Sequence, residues 1–371
     1  MYFCCIKIVS LKRIWKTISD WEQWPFIMIY APLGFVWAYY AFKARAIWFF
    51  SNVNPTIEFS GFEGEPKKEM YDQLPEHLYP ETIYIKAGTD FRHVMAEVNK
   101  SNISYPFIVK PEIGMQGILF RKIDQQQELS EYHHKIPADY LIQSYVDLPL
   151  EFSVFYIRYP GKIHGKVTGF ILKEYMFVEG DGVSTLLQLI KQHPKAKYYN
   201  AEMQKHDLQK VLRKGEKYTL SIAGNHNRGA KFINLHKQID KRLTRVFDNI
   251  SLHAKEFYFG RYDLKTTSME DLKDGKNFSI LEFNGAGAEP NHIYDCGMTY
   301  GAALKEVARH WRDWYEIGRI NKKRGISYWS FSEGYSYLRN AKKFFKHLRH
   351  YDNEISNTSS AGEKIKAYMN L

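Results

Sequence analysis

The chain has 371 residues, 44% hydrophobic and 25% charged, enough to bury a large core, with a formal net charge of +11. That charge favours anionic partners, lipid or nucleic acid, but no RNP, zinc or helix-turn-helix signature supports a nucleic acid. Three cysteines, Cys4, Cys5 and Cys296, are too few for a disulfide framework; they fit a reducing cytosolic setting and lack a catalytic partner arrangement.

Residues 24–42, WPFIMIYAPLGFVWAYYAF, are uncharged and rich in aromatics. At ~1.5 Å per residue such a stretch approaches the ~30 Å hydrocarbon core of a bilayer. It has no small-residue cleavage site, and Lys43, Arg45 and further aromatics follow, so it is not a signal peptide. Lys7, Lys12, Arg13 and Lys16 precede it, and as a single span it would hold the N-terminus inside and export everything after it. The expectation is a segment that enters and returns, broken near Pro32-Leu33-Gly34. The alternative is a buried hairpin or a subunit contact.

Lys67 and Lys68 stand before a helix-like stretch and Leu78-Tyr79-Pro80. In YPFIVKPEIGMQGILFRKI (105–123), Phe107–Val109 reads as a buried strand ending in Lys110-Pro111. Gly114 and Gly117 punctuate a loop before a second apolar run, Ile118–Phe120. Glycines let a backbone approach phosphate oxygens, and Lys110 offers a point charge, although hairpin loops often look like this. No Gly-Lys-Ser/Thr follows, so this is not a Walker A loop. Leu141–Val146 and Phe152–Ile157 read as strands around an Asp-Leu-Pro break, with Gln143 and Glu151 as polar exceptions. Residues 182–220 read as inserted helices. In SIAGNHNRGAKFINL (221–235), Arg228 and Lys231 are either anion donors or part of a surface loop.

FYFGRYDLK (257–265) is an aromatic-rich strand with Arg261 and Asp263 near its end, and ILEFNGAGAEP (280–290) is a second strand. Simple alternation puts Ile280, Glu282 and Asn284 on one face and Leu281 and Phe283 on the other. The polar stretch between the two strands contains Asp-Gly and reads as a hairpin loop, which could set Asp263 beside Glu282 and Asn284; the register stays open. Two carboxylates and an amide suit a hard cation such as magnesium. A half-buried strand ending in an Asn-Gly turn is the plainer alternative. Glu289, Asn291 and His292 either meet a substrate or form a capped turn before a helix starting near Met298. In residues 327–352, Leu338, Ala341, Phe345 and Leu348 line one helical face, with Arg339, Lys342, Lys343, Lys346 and Arg349 opposite or flanking. Such a helix can lie on anionic lipid or cover its own domain.

Taken together, Lys-Pro with a glycine loop, a hinge strand with an acid, Arg-x-Asp and Glu-x-Asn resemble the ATP-grasp superfamily over roughly residues 65–310. Within it the chain looks like the carboxylate–amine ligases of the D-alanine–D-alanine ligase type. The resemblance implies an α+β fold, two α+β subdomains sandwiching ATP, here with an N-terminal hydrophobic helical segment (1–60), the ATP-grasp domain (61–315) and a C-terminal helical extension (316–371). It implies that Lys110 and Lys67 (or Lys68) contact phosphates, that Gly114–Gly117 close over them, and that Gln143, Tyr145 and Val146 hold adenine. Glu151 would accept from ribose, with Lys173 a further nucleotide contact. Asp263, Glu282 and Asn284 would hold Mg2+ or Mn2+. Arg261, with Arg228 and Lys231, would stabilise the transferring phosphoryl group, and Gly285 and Gly287 would open backbone N–H groups to the reacting carbonyl.

The chain departs from this family in its phosphate loop, which lacks serine, and in the ~60 residues before Lys67, too few for a βαβαβ half-domain. The implied activity is amide formation from a carboxylate, through an acylphosphate, and an amine, with a lipid-linked or amphiphilic substrate in place of D-alanine. A kinase on the same fold and a non-catalytic nucleotide-regulated membrane scaffold are the alternatives. The expected location is the cytoplasmic side of a membrane, or simply the cytoplasm. The oligomeric state stays open, a homo-oligomer included.

Overall fold

The computed structural model describes residues 20–115, 117–193, 207–220, 224 and 229–357. The expected mixture of helices and antiparallel sheets is present, with an apolar helix near the N-terminus and long helices at the C-terminal end. Chain order begins with helices α1 (Phe26–Tyr30) and α2 (Gly34–Ala44), joined by a 3-10 turn, Ala31–Leu33. Gly34 is right-handed helical (φ −55°, ψ −36°), so the path continues through Pro32 rather than turning back. Pro32 is tolerated because it lies in the first turn of the 3-10 segment, where its missing N–H would have no partner. The expected break at Pro32-Leu33-Gly34 is therefore corrected to one helical path across residues 26–44.

Helix α3 (Lys67–Tyr71) leads to the first sheet, built from β1 (Thr82–Ile85), β2 (Phe107–Pro111), β3 (Arg121–Ile123) and β4 (Tyr140–Ser144) in the order β1-β4-β2-β3. Helices α4 (Phe91–Lys100) and α5 (Gln126–Lys135) bury Val94, Val98, Leu129 and Tyr132 with its apolar side chains. The run Ile118–Phe120 is not a strand. Leu119 adopts a left-handed φ of 55° in a buried turn, its N–H donating to Asp352 and its carbonyl accepting from Tyr132.

The second sheet contains β5 (Leu150–Ile157), β6 (Lys166–Glu174), β9 (Lys231–Asn234), β10 (Phe259–Thr266) and β11 (Phe278–Asn284), all antiparallel, in the order β11-β10-β5-β6-β9. A separate pair, β7 (Phe177–Glu179) and β8 (Lys217–Thr219), packs with α6 (Leu186–Gln192) between β6 and β9. Of the helices expected over 182–220, only α6 lies among the described residues, and 217–219 is strand. Helix α7 (Lys241–His253) buries Leu243, Phe247 and Ile250 against the Phe152/Val154/Tyr156 and Tyr262/Leu264 face of the large sheet. A short helix, α8 (Met269–Lys273), and Gly275 (φ 71°) close the β10–β11 hairpin.

Helix α9 (Tyr300–Lys323) and residues 49–62 cover part of the opposite face, where Phe49, Phe50, Phe59, Phe155, Phe259 and Trp314 share a core. Helix α10 (Phe331–Asn357) buries Phe345 and Leu348 in the core of the first sheet, while Lys342, Lys343, Lys346 and Arg349 point to solvent. Its apolar face thus covers its own protein.

Candidate nucleotide and metal site

The hairpin register is the first fact of the site. Asp263 of β10 lies directly opposite Glu282 of β11, and Arg261 lies opposite Asn284. A β-bulge between Asp263 and Leu264 leaves Leu281 as the extra residue, because Leu264 pairs with Ile280. The bulge changes the simple alternation. Ile280 and Phe283 are both core, whereas Glu282 and Asn284 are only half-buried. Without it, Ile280 and Glu282 would share a face and one of them would be misplaced.

Neighbouring strands extend this polar face. Ser153 of β5 pairs with Asp263, and Glu151 pairs with Lys265. Lys173 of β6 reaches both acids, Nζ lying 2.9 Å from Glu151 Oε1 and 3.2 Å from Asp263 Oδ1 while only 4% exposed. Arg261 holds Asp263 at 3.2 Å and donates through Nη1 to the Glu289 carbonyl at 3.1 Å. Ser153 Oγ also donates to Asp263, Asn291 Nδ2 donates to Ser153 at 3.2 Å, and Asn284 Nδ2 reaches Asp263 at 3.4 Å. Burial pushes the Asp263 carboxyl upward, but Arg261, Lys173 and Ser153 outweigh it and bring its pKa down to about 2. The same two acids, Asp263 and Glu151, overcome burial at Lys173 and raise its pKa.

The first sheet supplies the facing wall. Lys110 Nζ donates to Tyr71 Oη at 3.1 Å and to the Leu281 carbonyl at 3.3 Å, and the Tyr71 hydroxyl donates to that same carbonyl. Burial lowers the Lys110 pKa to about 8, against the pull of Glu282 and Glu112. Lys67, the first residue of α3, is 6% exposed, and its Nζ lies 3.4 Å from the Glu112 carbonyl. A Cβ built on Gly114 would come within 3.7 Å of Lys67 Nζ, so the chain lies against Lys67 at Gly114, and Gly117 has a left-handed φ of 76°.

At the hinge, Lys265 Nζ donates to the Val146 carbonyl at 3.0 Å and lies 5.2 Å from the Tyr145 ring. Gln143 is buried and donates to Thr82 Oγ1 at 2.8 Å, so Tyr145 and Val146 are the hinge positions left half-open. Glu151 also accepts from Tyr175. Lys231 stands exposed at the start of edge strand β9, paired with Glu174, and Arg228 lies outside the described residues. That polar stretch nevertheless reaches the site: a Cβ on Gly224 would lie 2.4 Å from Glu151 Oε1 and 2.7 Å from Lys173 Cδ.

Gly285 and Gly287 have a role other than the one expected. The N–H groups of Ala286 and Gly287 donate to the Ser60 and Gly61 carbonyls at 2.9 and 2.8 Å. A Cβ on Gly287 would lie 1.8 Å from the Phe62 carbonyl oxygen. These glycines admit the 60–62 backbone, and the Gly287 amide is committed to it. Glu289 remains at the edge of the site, its Oε1 accepting from Tyr30 and, at 2.5 Å, from Tyr294. Asn291 and His292 are buried, His292 donating toward Glu306 in the core.

The donors fit a hard cation by type. Among the described residues no group of three His, Cys, Asp or Glu side chains is placed to hold a metal unaided. Magnesium characteristically takes one or two carboxylates and completes its shell with phosphate oxygens and water, which Asp263, Glu282 and the Asn284 amide allow. Sequence reading missed Ser153, Lys265 and Tyr71. The first two were within reach, since each lies two residues from a chosen acid on the same strand face.

No family model and no curated protein matches the chain. Solved structures do match. They include a D-Ala:D-Ser ligase from Enterococcus faecalis (13% identity, TM-score 0.39, covering 66% of this chain and 61% of that one) and a D-alanine–D-alanine ligase from Bacillus anthracis (15%, 0.40, 70% and 69%). A bifunctional glutathione synthetase from Pasteurella multocida matches at 12% identity and TM-score 0.36, over 67% of this chain and 36% of that one. This chain thus spans about six tenths of the length of the D-Ala:D-Ser ligase. Likenesses this distant carry no argument about this chain.

Proposed function

We propose that the chain is an ATP-grasp ligase that uses ATP and magnesium (or manganese) to join a carboxylate to an amine. The observation that carries this reading is the direct opposition of Asp263 and Glu282, with Arg261 opposite Asn284, on a sheet face confronted by Lys110. Lys110 and Lys67 would hold phosphates under the Gly114–Gly117 loop, with Arg228 and Lys231 as further anion donors from the 221–235 stretch. Tyr145 and Val146 would border adenine, and Glu151 would accept from the ribose. Asp263, Glu282 and Asn284 would hold the metal, which when bound neutralises phosphate charge.

Substrate carboxylate oxygen attacks the γ-phosphorus, the bond to ADP breaks, and an acylphosphate results. The amine nitrogen then bonds to the acyl carbon, loses a proton and expels phosphate. No side-chain nucleophile is required. The chain's contribution is positioning and charge: Arg261, fixed by Asp263 and the Glu289 carbonyl, faces the phosphoryl group as charge shifts onto its oxygens.

The carboxylate or amine is proposed to be lipid-linked or amphiphilic, with the enzyme at the cytoplasmic side of a membrane, where ATP is supplied. The test is Mg-ATP stabilisation of the native protein against Glu282→Ala/Asn284→Ala, since a ligand that binds only the folded state raises the unfolding temperature. Stabilisation that fades in the double variant supports the reading, and amide formation in lipid extracts then identifies the substrates. Equal and negligible shifts in both proteins overturn it.

A further inference from the structure

The apolar helical path α1–α2 carries hydrophobic side chains around its whole circumference, a pattern that demands two partners, one for each side. One partner is the protein itself. Ile29 and Leu33 pack with Ile293, Ala303 and Val307, the Trp37 ring meets Trp311 at 5.3 Å, and Tyr40 stacks on Tyr315 at 5.1 Å. Tyr300 donates to the Ile29 carbonyl at 2.9 Å, and Trp21 Nε1 donates to the Met298 carbonyl at 2.8 Å.

Among the described residues, nothing covers the opposite side. At ~100° per residue, Ile27, Met28, Phe35, Tyr39 and Phe42 fall within one arc. Ile27 is 73% exposed, and Phe35 and Phe42 are each 85% exposed. Exposed Lys43 and Arg45 stand at the C-terminal end of this stripe. A helix anchored along one side cannot cross a bilayer without stripping that side of its core and hydrogen bonds.

We propose that this outer stripe docks flat on an anionic lipid surface, in the interfacial plane and not across it. The chemistry matches at both levels: an aromatic and aliphatic face to enter the acyl boundary, and a cationic end on a chain of net charge +11 to meet anionic headgroups. Exposed apolar faces of this size on one helix mark an interaction surface rather than ordinary surface scatter. Docking also has a consequence for the site. Tyr30, on the inner side of the same path, donates to Glu289, whose carbonyl receives Arg261, so the docked helix borders the substrate edge. This last consequence rests on the ligase reading above; the docking itself does not.

The full chain is mixed with vesicles of phosphatidylcholine alone or with phosphatidylglycerol and sedimented, alongside Phe35→Asp/Phe42→Asp. Both positions are exposed, so unfolding temperature and Mg-ATP stabilisation are expected to stay unchanged in the variant. Docking predicts binding to the anionic vesicles that falls by more than about tenfold in the variant and weakens strongly without phosphatidylglycerol. Absence of binding, or binding that the substitutions leave untouched, overturns it. So does a lipid-free dimer that the same substitutions dissociate, because the stripe would then be a subunit contact. A native protein that binds the anionic vesicles but is not stabilised by Mg-ATP would overturn the ligase reading alone.

Discussion

Lys110 Nζ donates to the carbonyl of Leu281, 3.3 Å away, and this bond ties the first sheet to the second across the site. The acceptor is available because Leu281 is the extra residue of the β-bulge. Tyr71 donates to the same oxygen and accepts from Lys110, so α3, β2 and β11 meet at one carbonyl. The same bulge turns Glu282 away from the core, which couples the position of a proposed phosphate contact to that of a proposed metal ligand.

Lys110 gives a pH signature. Burial depresses its pKa to about 8, so the folded-state amine loses its proton between about 8 and the unfolded value near 10.5. In that window the unfolded chain binds more protons, and this group's contribution to stability rises with pH. Nucleotide binding should move the opposite way, because phosphate needs the charged amine. Mg-ATP affinity measured by calorimetry is expected to fall between pH 7 and 9, and the fall should vanish in Lys110→Arg.

Asp263 sits between buried Lys173 and half-buried Arg261. Asp263→Asn leaves Lys173 and Arg261 facing a neutral amide, a loss expected to cost about 3–5 kcal/mol in urea unfolding. In the native protein its pKa of about 2 lies below the ordinary carboxylate value, so it contributes stability above pH ~4 that disappears as pH falls toward 2. The variant should show a correspondingly flatter acid limb.

Asp352, on α10, accepts from the Leu119 N–H at 3.2 Å and from Arg121 at 2.7 Å, just beyond the glycine loop. Asp352→Ala removes both of these contacts. Mg-ATP affinity is expected to drop several-fold and stability by about 1–3 kcal/mol, whereas Lys346→Ala on the solvent side of the same helix should change neither. Equal effects of the two would sink this anchoring role.

Gly287 admits the Phe62 carbonyl where a Cβ would overlap it. Gly287→Ala must displace the 60–62 segment, and a loss of about 1–3 kcal/mol is expected by thermal or denaturant unfolding. Gly301→Ala, with nothing near its added Cβ, is the matched control.

The residue types that make up the candidate site were legible in sequence, because strand residues two apart share a face whatever the fold. Arg-x-Asp, Glu-x-Asn and Lys-Pro with its glycines therefore declared themselves as polar interruptions of apolar runs. The apolar runs Phe107–Val109, Leu141–Val146 and Phe152–Ile157 read as strands, and the structure has strands at 107–111, 140–144 and 150–157. Tertiary structure decided what pairs with what. The register that sets Asp263 opposite Glu282 depends on a bulge, and one inserted residue in a ladder leaves no mark in a composition pattern. The roles of Gly285 and Gly287 depended on residues 60–62, more than two hundred positions earlier, returning to claim their neighbourhood. The continuity of residues 26–44 through Pro32 depended on helix α9 being there to receive one side. Sequence sets which side chains a segment can present, through local sterics and periodicity; which of them face one another is set by contacts that only the closed chain can make.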